Sequence, residues 1–345
     1  QTILSEIKKL NLNVADLSKD CLKSLSKISG KKVAIVGEII IDEYIFSKEM
    51  DKPSKENIHA VNFYRKENYQ GGVLAIAKNL SQFCEKIDVF SSGSFSSEDK
   101  KYIKTIDKKF KNVDTFLDKS SFQTIKKTRV LDENNRKIFE IYHKNGDKTY
   151  SLSKNLKNLI KTKFKKYDCV IICDFGHGFL NKDIYNLIYQ NSKKLSMNVQ
   201  TNSDNRGFNL VTKYNKADYI CIDEPELRLA ASNNKEQIKQ ILQKQPISKI
   251  KCKNITITRG RNGSFSYLNS RTLSVPALIS EKVLDTIGAG DVFLVITSLL
   301  HFVKSNQLTS NLIGNVAAAL KVDILGHSKS INSSNFYAVL NHILK

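Results

Sequence analysis

Short apolar runs of strand length recur along this chain, and the apolar residues between them fall at helical spacing. The runs are VAIV (33–36), then KIDVFSSG, DCVIICDF, KLSMNV, ADYICID and NITITRG. An intervening segment such as GGVLAIAKNLSQF instead repeats apolar residues at i, i+3 and i+4 behind a Gly-Gly entrance. Repeated strand–helix units of this kind predict an α/β fold: a mostly parallel sheet covered by helices, with ligand sites at the C-terminal ends of its strands.

Two stretches depart from that rhythm. Residues 44–70 are polar and alternate only weakly, and residues 105–150 are charged and rich in strand-like runs, two of them around the turn DENN. Together they predict a smaller β-rich layer, a lid, drawn from segments within about 44–70 and 105–150. Residues 1–30 place leucines at helical spacing and stop at Gly30, so they read as a helical lead-in or inter-domain connector ahead of a main domain over 31–345. Two further apolar helices are expected over 291–305 and 310–322.

Composition removes several function classes. With no apolar run of 18 residues and no signal-like lead, neither a membrane-spanning nor a secreted chain is expected, and a cytoplasmic one is. The six cysteines include Cys169 and Cys173, four apart on one strand face, but no second pair completes a zinc pattern, so they read as buried reduced thiols. The formal charge of +21 raises nucleic acid as a partner. Its lysines are spread along the chain without any nucleic-acid-binding motif, so a solvated lysine surface or a funnel for small anions is expected instead.

The stretch LDTIGAGDVFL is the chemical focus. Gly288, Ala289 and Gly290 offer backbone amides with little side-chain bulk at a helix entrance, a seat for an anion. Asp291 is poor company for a phosphate unless it accepts a proton from a hydroxyl that attacks the phosphorus. The plain alternative is a helix N-cap after a tight glycine turn. The stretch is neither a Walker loop, for want of the Lys-Ser or Lys-Thr pair, nor a dinucleotide fingerprint.

DTIGAGDVF resembles the second signature of the PfkB, or ribokinase-like, carbohydrate kinases, and the resemblance runs over residues 31–335. VAIVGEIIIDEY is similar to that family's first strand with its sugar-gripping aspartate, and GGVLAIAKNL to its Gly-Gly helix entrance. DFGHGFL resembles a segment of the heptose 7-phosphate kinases within the family. DEPE is similar to its Asn-x-x-Glu, and TRGRNG to its nucleotide loop.

The resemblance implies a three-layer ribokinase-like sandwich with a small β-rich lid, and an ATP-dependent kinase acting on a sugar or sugar phosphate, heptose 7-phosphate among the candidates for lipopolysaccharide precursor synthesis. Carried over, Asp291 is the general base and the amides of Gly288, Ala289 and Gly290 stabilise the transferring phosphoryl. Asp42 orients sugar hydroxyls, with Gly71 and Gly72 letting substrate approach the backbone; His177, and Arg129 with Lys127, stand as further substrate contacts. Asp223, Thr258, Gly260, Gly263 and Asn315 fall on the nucleotide side, and Glu226 holds Mg²⁺ through water. Carbonyls around Asp285 and Gly326 are the place for K⁺. A homodimer is expected, and a chain without an initiator methionine suits a piece of a fusion to a nucleotidyltransferase.

Several positions depart from the family's pattern: Ala75 where an asparagine meets the sugar, His177 where a lysine follows DFG, Asp223 for asparagine, and NVQTN for an Asp-Pro-Lys-type segment. These weaken the substrate assignment more than the reaction. A nucleoside or other small-molecule kinase, and a non-catalytic sugar- or nucleotide-binding module regulating a fused transferase, remain the competing readings.

Overall fold

The structure, a computed structural model, describes residues 13–51, 55–119, 124–143, 150–278 and 283–344. Its first element is the helix α1 (Val14–Ser29), capped by Asn13, whose side chain accepts from Ala15 N. The helical spacing read over residues 1–12 lies outside the described residues.

Alternation within the central strands builds the layers. In β1 (Lys32–Gly37), Val33 and Ile35 enter one apolar core while Ala34 and Val36 enter a second on the opposite face. The strand β8 (Cys169–Asp174) divides likewise: Cys169, Ile171 and Cys173 on the first side, Val170 and Ile172 on the other. Both thiols are buried among apolar neighbours, which pushes them well above their ordinary range. A sheet apolar on both faces needs helices on both, and it has them.

The large sheet has nine strands. From β1 it runs outward on one side through β4 (Lys86–Gly93) and β5 (Val113–Lys119), all parallel. On the other side come β8, β9 (Leu195–Val199), β10 (Tyr219–Asp223) and β11 (Asn254–Thr258), also parallel. An antiparallel hairpin, β12 (Ser264–Leu268) and β13 (Arg271–Val275), closes that edge and was not foreseen as separate strands. The strand order reverses at β1, and the strand ends around such a reversal open a crevice.

A second sheet of four strands stands over that crevice, in the order β3–β2–β6–β7. These are β2 (Ile39–Glu49), β3 (Val61–Gly72), β6 (Ile125–Leu131) and β7 (Lys137–His143). Within the stretch 105–150, the part up to Lys119 goes to a surface helix, α3 (Ser97–Lys109), and to β5 of the large sheet. Its charged outer face had obscured a half-buried pattern, since Ile103 and Ile106 face the core. Only one residue, Glu38, separates β1 from β2, so a single continuous strand path carries the chain from the large sheet into the small one.

The helix α8 (Ala289–Phe302) is buried along Asp291–Leu300, which explains why its sequence is apolar all round. It lies against α2 (Val73–Leu80) and α9 (Gln307–Val322), with α10 (Ser333–Ile343) beyond.

On the other face, Phe90 of β4 is fully buried and its ring meets Phe116, Phe164 and Tyr167 at centroid distances of 4.9, 4.9 and 6.2 Å. Phe90→Ala removes one ring from this cluster. The expected loss is about 3–5 kcal/mol of unfolding free energy, measured as a lower denaturant midpoint with an unchanged slope.

Candidate active site

The strand path through Glu38 fixes which side chains look into the crevice. Residues of β2 alternate, so Ile40 and Asp42 line a cavity of about 450 Å³ between the two sheets. Glu43 turns away to accept from Thr128 and to pair with Lys66 and Lys126. Parallel pairing of β2 with β6 brings Lys127 and Arg129 to the same cavity, and antiparallel β7 adds Glu140 and Tyr142. The floor comes from the C-terminal ends of the large sheet: Gln200 beyond β9, Asp223 at the end of β10 and Thr258 at the end of β11. One end is the entrance of α8, Gly288, Gly290 and Asp291, with His327 beside it.

Asp42 and Asp291 therefore face one enclosure. Asp42 is 3% exposed and is held by Arg129, which also pairs with Glu140 at 2.7 Å. Burial raises the Asp42 carboxyl above its usual range, and the Arg129 guanidinium opposes that rise. Gly71 is required here, because a Cβ on it would collide with Oδ2 of Asp42. Gly72 borders the cavity with φ of +58° and has the Glu38 carbonyl where a side chain would go.

The plain reading of Asp291 as a helix cap does not hold. The N-cap is Gly288, in the left-handed region at φ 79°, without any side-chain capping bond. A Cβ on Gly288 would come within 2.8 Å of the His327 ring. Asp291 sits in the first turn, 9% exposed, and its Oδ1 accepts from Nε2 of Gln200 at 2.5 Å. Burial pushes its carboxyl up to about 6, while the Gln200 bond and the nearby Lys321 and Lys127 charges hold it from rising further. Of the three amides expected to form an anion seat, those of Gly288 and Gly290 belong to residues bordering the cavity. Ala289 turns its N–H to Thr286 O at 3.3 Å.

Glu226 and Asp223 form a capping box at the start of α6 (Glu224–Ala231): Asp223 Oδ1 accepts from Glu226 N, and Glu226 Oε2 from Asp223 N. The second oxygen of Glu226 accepts from Thr201 N at 3.1 Å. Burial first, then the Asp223 charge, pushes the Glu226 carboxyl up to about 8, and Asp291 adds to the rise. A buried carboxyl pushed up by two neighbouring acids suits a cation beside it. Yet no group of three or more His, Cys, Asp or Glu among the described residues is spaced as a direct metal cage. Mg²⁺ fits here only through water and through phosphate oxygens brought by a ligand, its common manner of binding.

Gly263 and Asn315 converge on one short stretch of backbone. Gly263, at φ 79°, packs against Val275–Ala277, and Asn315 of α9 donates to Pro276 O at 2.9 Å. Thr258 borders the cavity, and Gly260 sits in the turn after it at φ 53°. His177 is not among the residues bordering the cavity; its N–H is received by Glu38 and its ring lies behind Tyr142. Ala75 is buried in α2, away from the cavity.

Sequence reasoning passed over Gln200, Lys137, Lys321 and His327. Lys137 of β7 reaches across to Asp285 at 2.7 Å, and Lys321 Nζ donates to Gly326 O at 2.5 Å. Of the carbonyls around Asp285 and Gly326 expected to coordinate K⁺, that of Gly326 holds the Lys321 ammonium, while Lys137 meets the side chain of Asp285. The one signal was Lys321 itself, a charge four residues beyond Ala317 on the apolar face of AAALKV.

The chain is similar to known proteins in both sequence and fold. The family model of the pfkB family carbohydrate kinase matches residues 30–332. Among curated relatives, the bifunctional protein HldE of a Nitratiruptor species is 24% identical over 302 residues, covering 86% of this chain and 62% of that one. The bifunctional protein HldE of Helicobacter pylori is 25% identical over 312 residues, covering 86% and 64%. The chain thus spans less than two thirds of the length of these relatives. In three dimensions it is similar to Arabidopsis thaliana ribokinase complexed with ribose and ATP, at TM-score 0.71 and 14% identity, covering 90% and 99% of the two chains. It is also similar to Escherichia coli phosphofructokinase-2 in complex with substrates and products, at TM-score 0.70 and 11% identity, covering 91% and 100%.

Because the Gln200 bond favours the ionised carboxylate, Gln200→Leu is expected to raise the Asp291 midpoint above its starting value near 6. Carbonyl-labelled aspartate NMR across pH 4–8 reads both midpoints; an unmoved one removes Gln200 from the account.

Proposed function

The chain belongs to the pfkB family of carbohydrate kinases, and on that footing we propose that it transfers the γ-phosphoryl group of ATP to a hydroxyl of a sugar or sugar phosphate held between its two sheets. The observation that carries this reading is that carboxylates from different elements, Asp42 of the small sheet and Asp291 of helix α8, look into one enclosure that ends at the bare turn of Gly288 and Gly290.

In this reading Asp42, steadied by Arg129, accepts hydrogen bonds from sugar hydroxyls, and Gly72 lets the sugar lie against backbone. Asp291 takes the proton from the attacking hydroxyl, for which a carboxyl midpoint near 6 is well matched to neutral pH. The amides at the entrance of α8, with the helix dipole behind them, receive the negative charge of the phosphoryl oxygens. The nucleotide is assigned to the side built by Thr258, Gly260, Gly263 and Asn315. Mg²⁺, held through water by Asp223 and Glu226, would neutralise phosphate charge there.

Lys127 supports a phosphorylated sugar as acceptor. It is 7% exposed, borders the cavity and lies 4.8 Å from the centroid of the Tyr142 ring. Burial lowers its ammonium, and a substrate phosphate beside it would oppose that fall. Heptose 7-phosphate is the candidate that the DFGHGFL resemblance brings. His177 supports this sugar from behind Tyr142 rather than by contact. A homodimer is proposed through the outer face of the small sheet, where Phe63, Phe139 and Ile141 are 59%, 45% and 42% exposed. A further nucleotidyltransferase domain outside this span is proposed from the relatives' greater length.

ADP release measured against sugars, sugar phosphates and nucleosides tests the class directly. Turnover on nucleosides alone would replace the sugar reading, and ligand binding without ADP release would make the protein a binding module. With an accepted substrate, Asp291→Asn is expected to lower kcat by about 10³-fold while ATP affinity is kept. In the unaltered protein kcat/KM is expected to fall as pH drops through about 6, where Asp291 takes up its proton.

A further inference from the structure

Two lysines lie buried beneath the end of the cavity. Lys321 of α9 is fully buried, and its Nζ donates to Gly326 O at 2.5 Å. Lys78 of α2 is 8% exposed, and its Nζ donates to His327 O at 2.9 Å. Successive carbonyls of one loop therefore each hold an ammonium. Along its length, the Lys321 side chain runs against the turn that opens α8, since a Cβ on Gly288 would stand 3.2 Å from its Cε. The same loop carries His327, whose Nε2 lies 3.7 Å from Asp42 Oδ2. Gly326 N donates to Asp285 Oδ2 at 2.9 Å, so Asp285 anchors the loop from the opposite side.

Burying an ammonium on a lone carbonyl is a costly way to pack a helix. An apolar side chain of similar length would fill the same space without desolvating a charge. What favours the charge is its surroundings, the carboxylates of Asp285, Asp291 and Asp42, against which burial lowers it only to about 8. It remains an ammonium at neutral pH.

We propose that Lys321 is a positioning residue for phosphoryl transfer: its tethered ammonium pins the Gly326–His327 loop against the Gly288 turn and supplies a fixed positive charge beneath Asp291 and the amide seat. This rests on the function proposed above. A primary ammonium on a backbone carbonyl does there what a free monovalent cation of similar size would do. Turnover is accordingly independent of the monovalent cation in the buffer.

The test uses the full chain with Lys321→Ala, which opens room for a small cation, and Lys321→Met, which fills the space without charge. Without any substrate, ammonium chloride is expected to raise the Tm of Lys321→Ala relative to choline chloride at equal ionic strength, and to leave the unaltered protein unmoved. With substrate, both variants are expected to lose about 100-fold in kcat. Ammonium or methylammonium should restore at least about tenfold of it, saturably, to Lys321→Ala alone. Turnover by Lys321→Met at the unaltered rate overturns the proposal, as does a well-folded Lys321→Ala whose loss ammonium leaves untouched, or an unaltered protein that needs potassium. Should Lys321→Ala fail to fold, Lys321→Met decides. If the unaltered protein turns over nothing, the functional reading fails, and the ammonium dependence of the Tm still judges the cation pocket.

Discussion

A carboxylate taken out of water must find replacement hydrogen bonds and charge, or it costs several kcal/mol. This molecule removes several of them into one enclosure, and much of its architecture answers to that. Asp42 is tolerable because Arg129 reaches it from the neighbouring strand β6; Asp285 because Lys137, Ile287 N and Gly326 N converge on it. Asp291 has Gln200 and the start of a helix. Glu226 has two backbone amides. The compensation is incomplete for Asp291 and Glu226, whose carboxyls stay well above their ordinary range. Such residual tension is what a site awaiting a proton donor or a metal–phosphate group presents.

The two sheets share this charge. Arg129 and Lys127 belong to the small sheet, Asp291 and Glu226 to the first turns of helices that follow the large one, and Lys137 with Asp285 joins the two sides directly. An enclosure assembled from both layers changes its electrostatics whenever the layers separate, because water then returns to the carboxylates. The approach of the two layers and the tuning of the groups between them are thus coupled.

Where local pattern and tertiary role coincide, the sequence was readable. The apolar runs 33–36 and 169–173 announced a sheet covered on both faces, and GAGD announced a bare turn at a helix entrance, with the capping role of its acid left open until the structure placed the N-cap at Gly288. The small sheet was harder, because its two antiparallel pairs are separated by some fifty residues of chain and meet only through the long-range pairing of β2 with β6, so lid and large-sheet segments merged in the stretch 105–150. Glu226 shows another limit. DEPE reads equally as a capping box and as an acid beside a metal, and in the structure it does the first while bordering the cavity where the second is proposed. Lys321 was hidden by its own helix, since nothing in AAALKV says that its ammonium turns inward to a carbonyl five residues on.

The single-residue step at Glu38 carries one more implication. Side chains of β2 switch faces at every position, and that step sets the count between the central strand and Asp42. Losing or gaining one residue there would turn Ile41 or Glu43 toward the cavity and send Asp42 outward. The length of this stretch is thus constrained by the face on which Asp42 must lie.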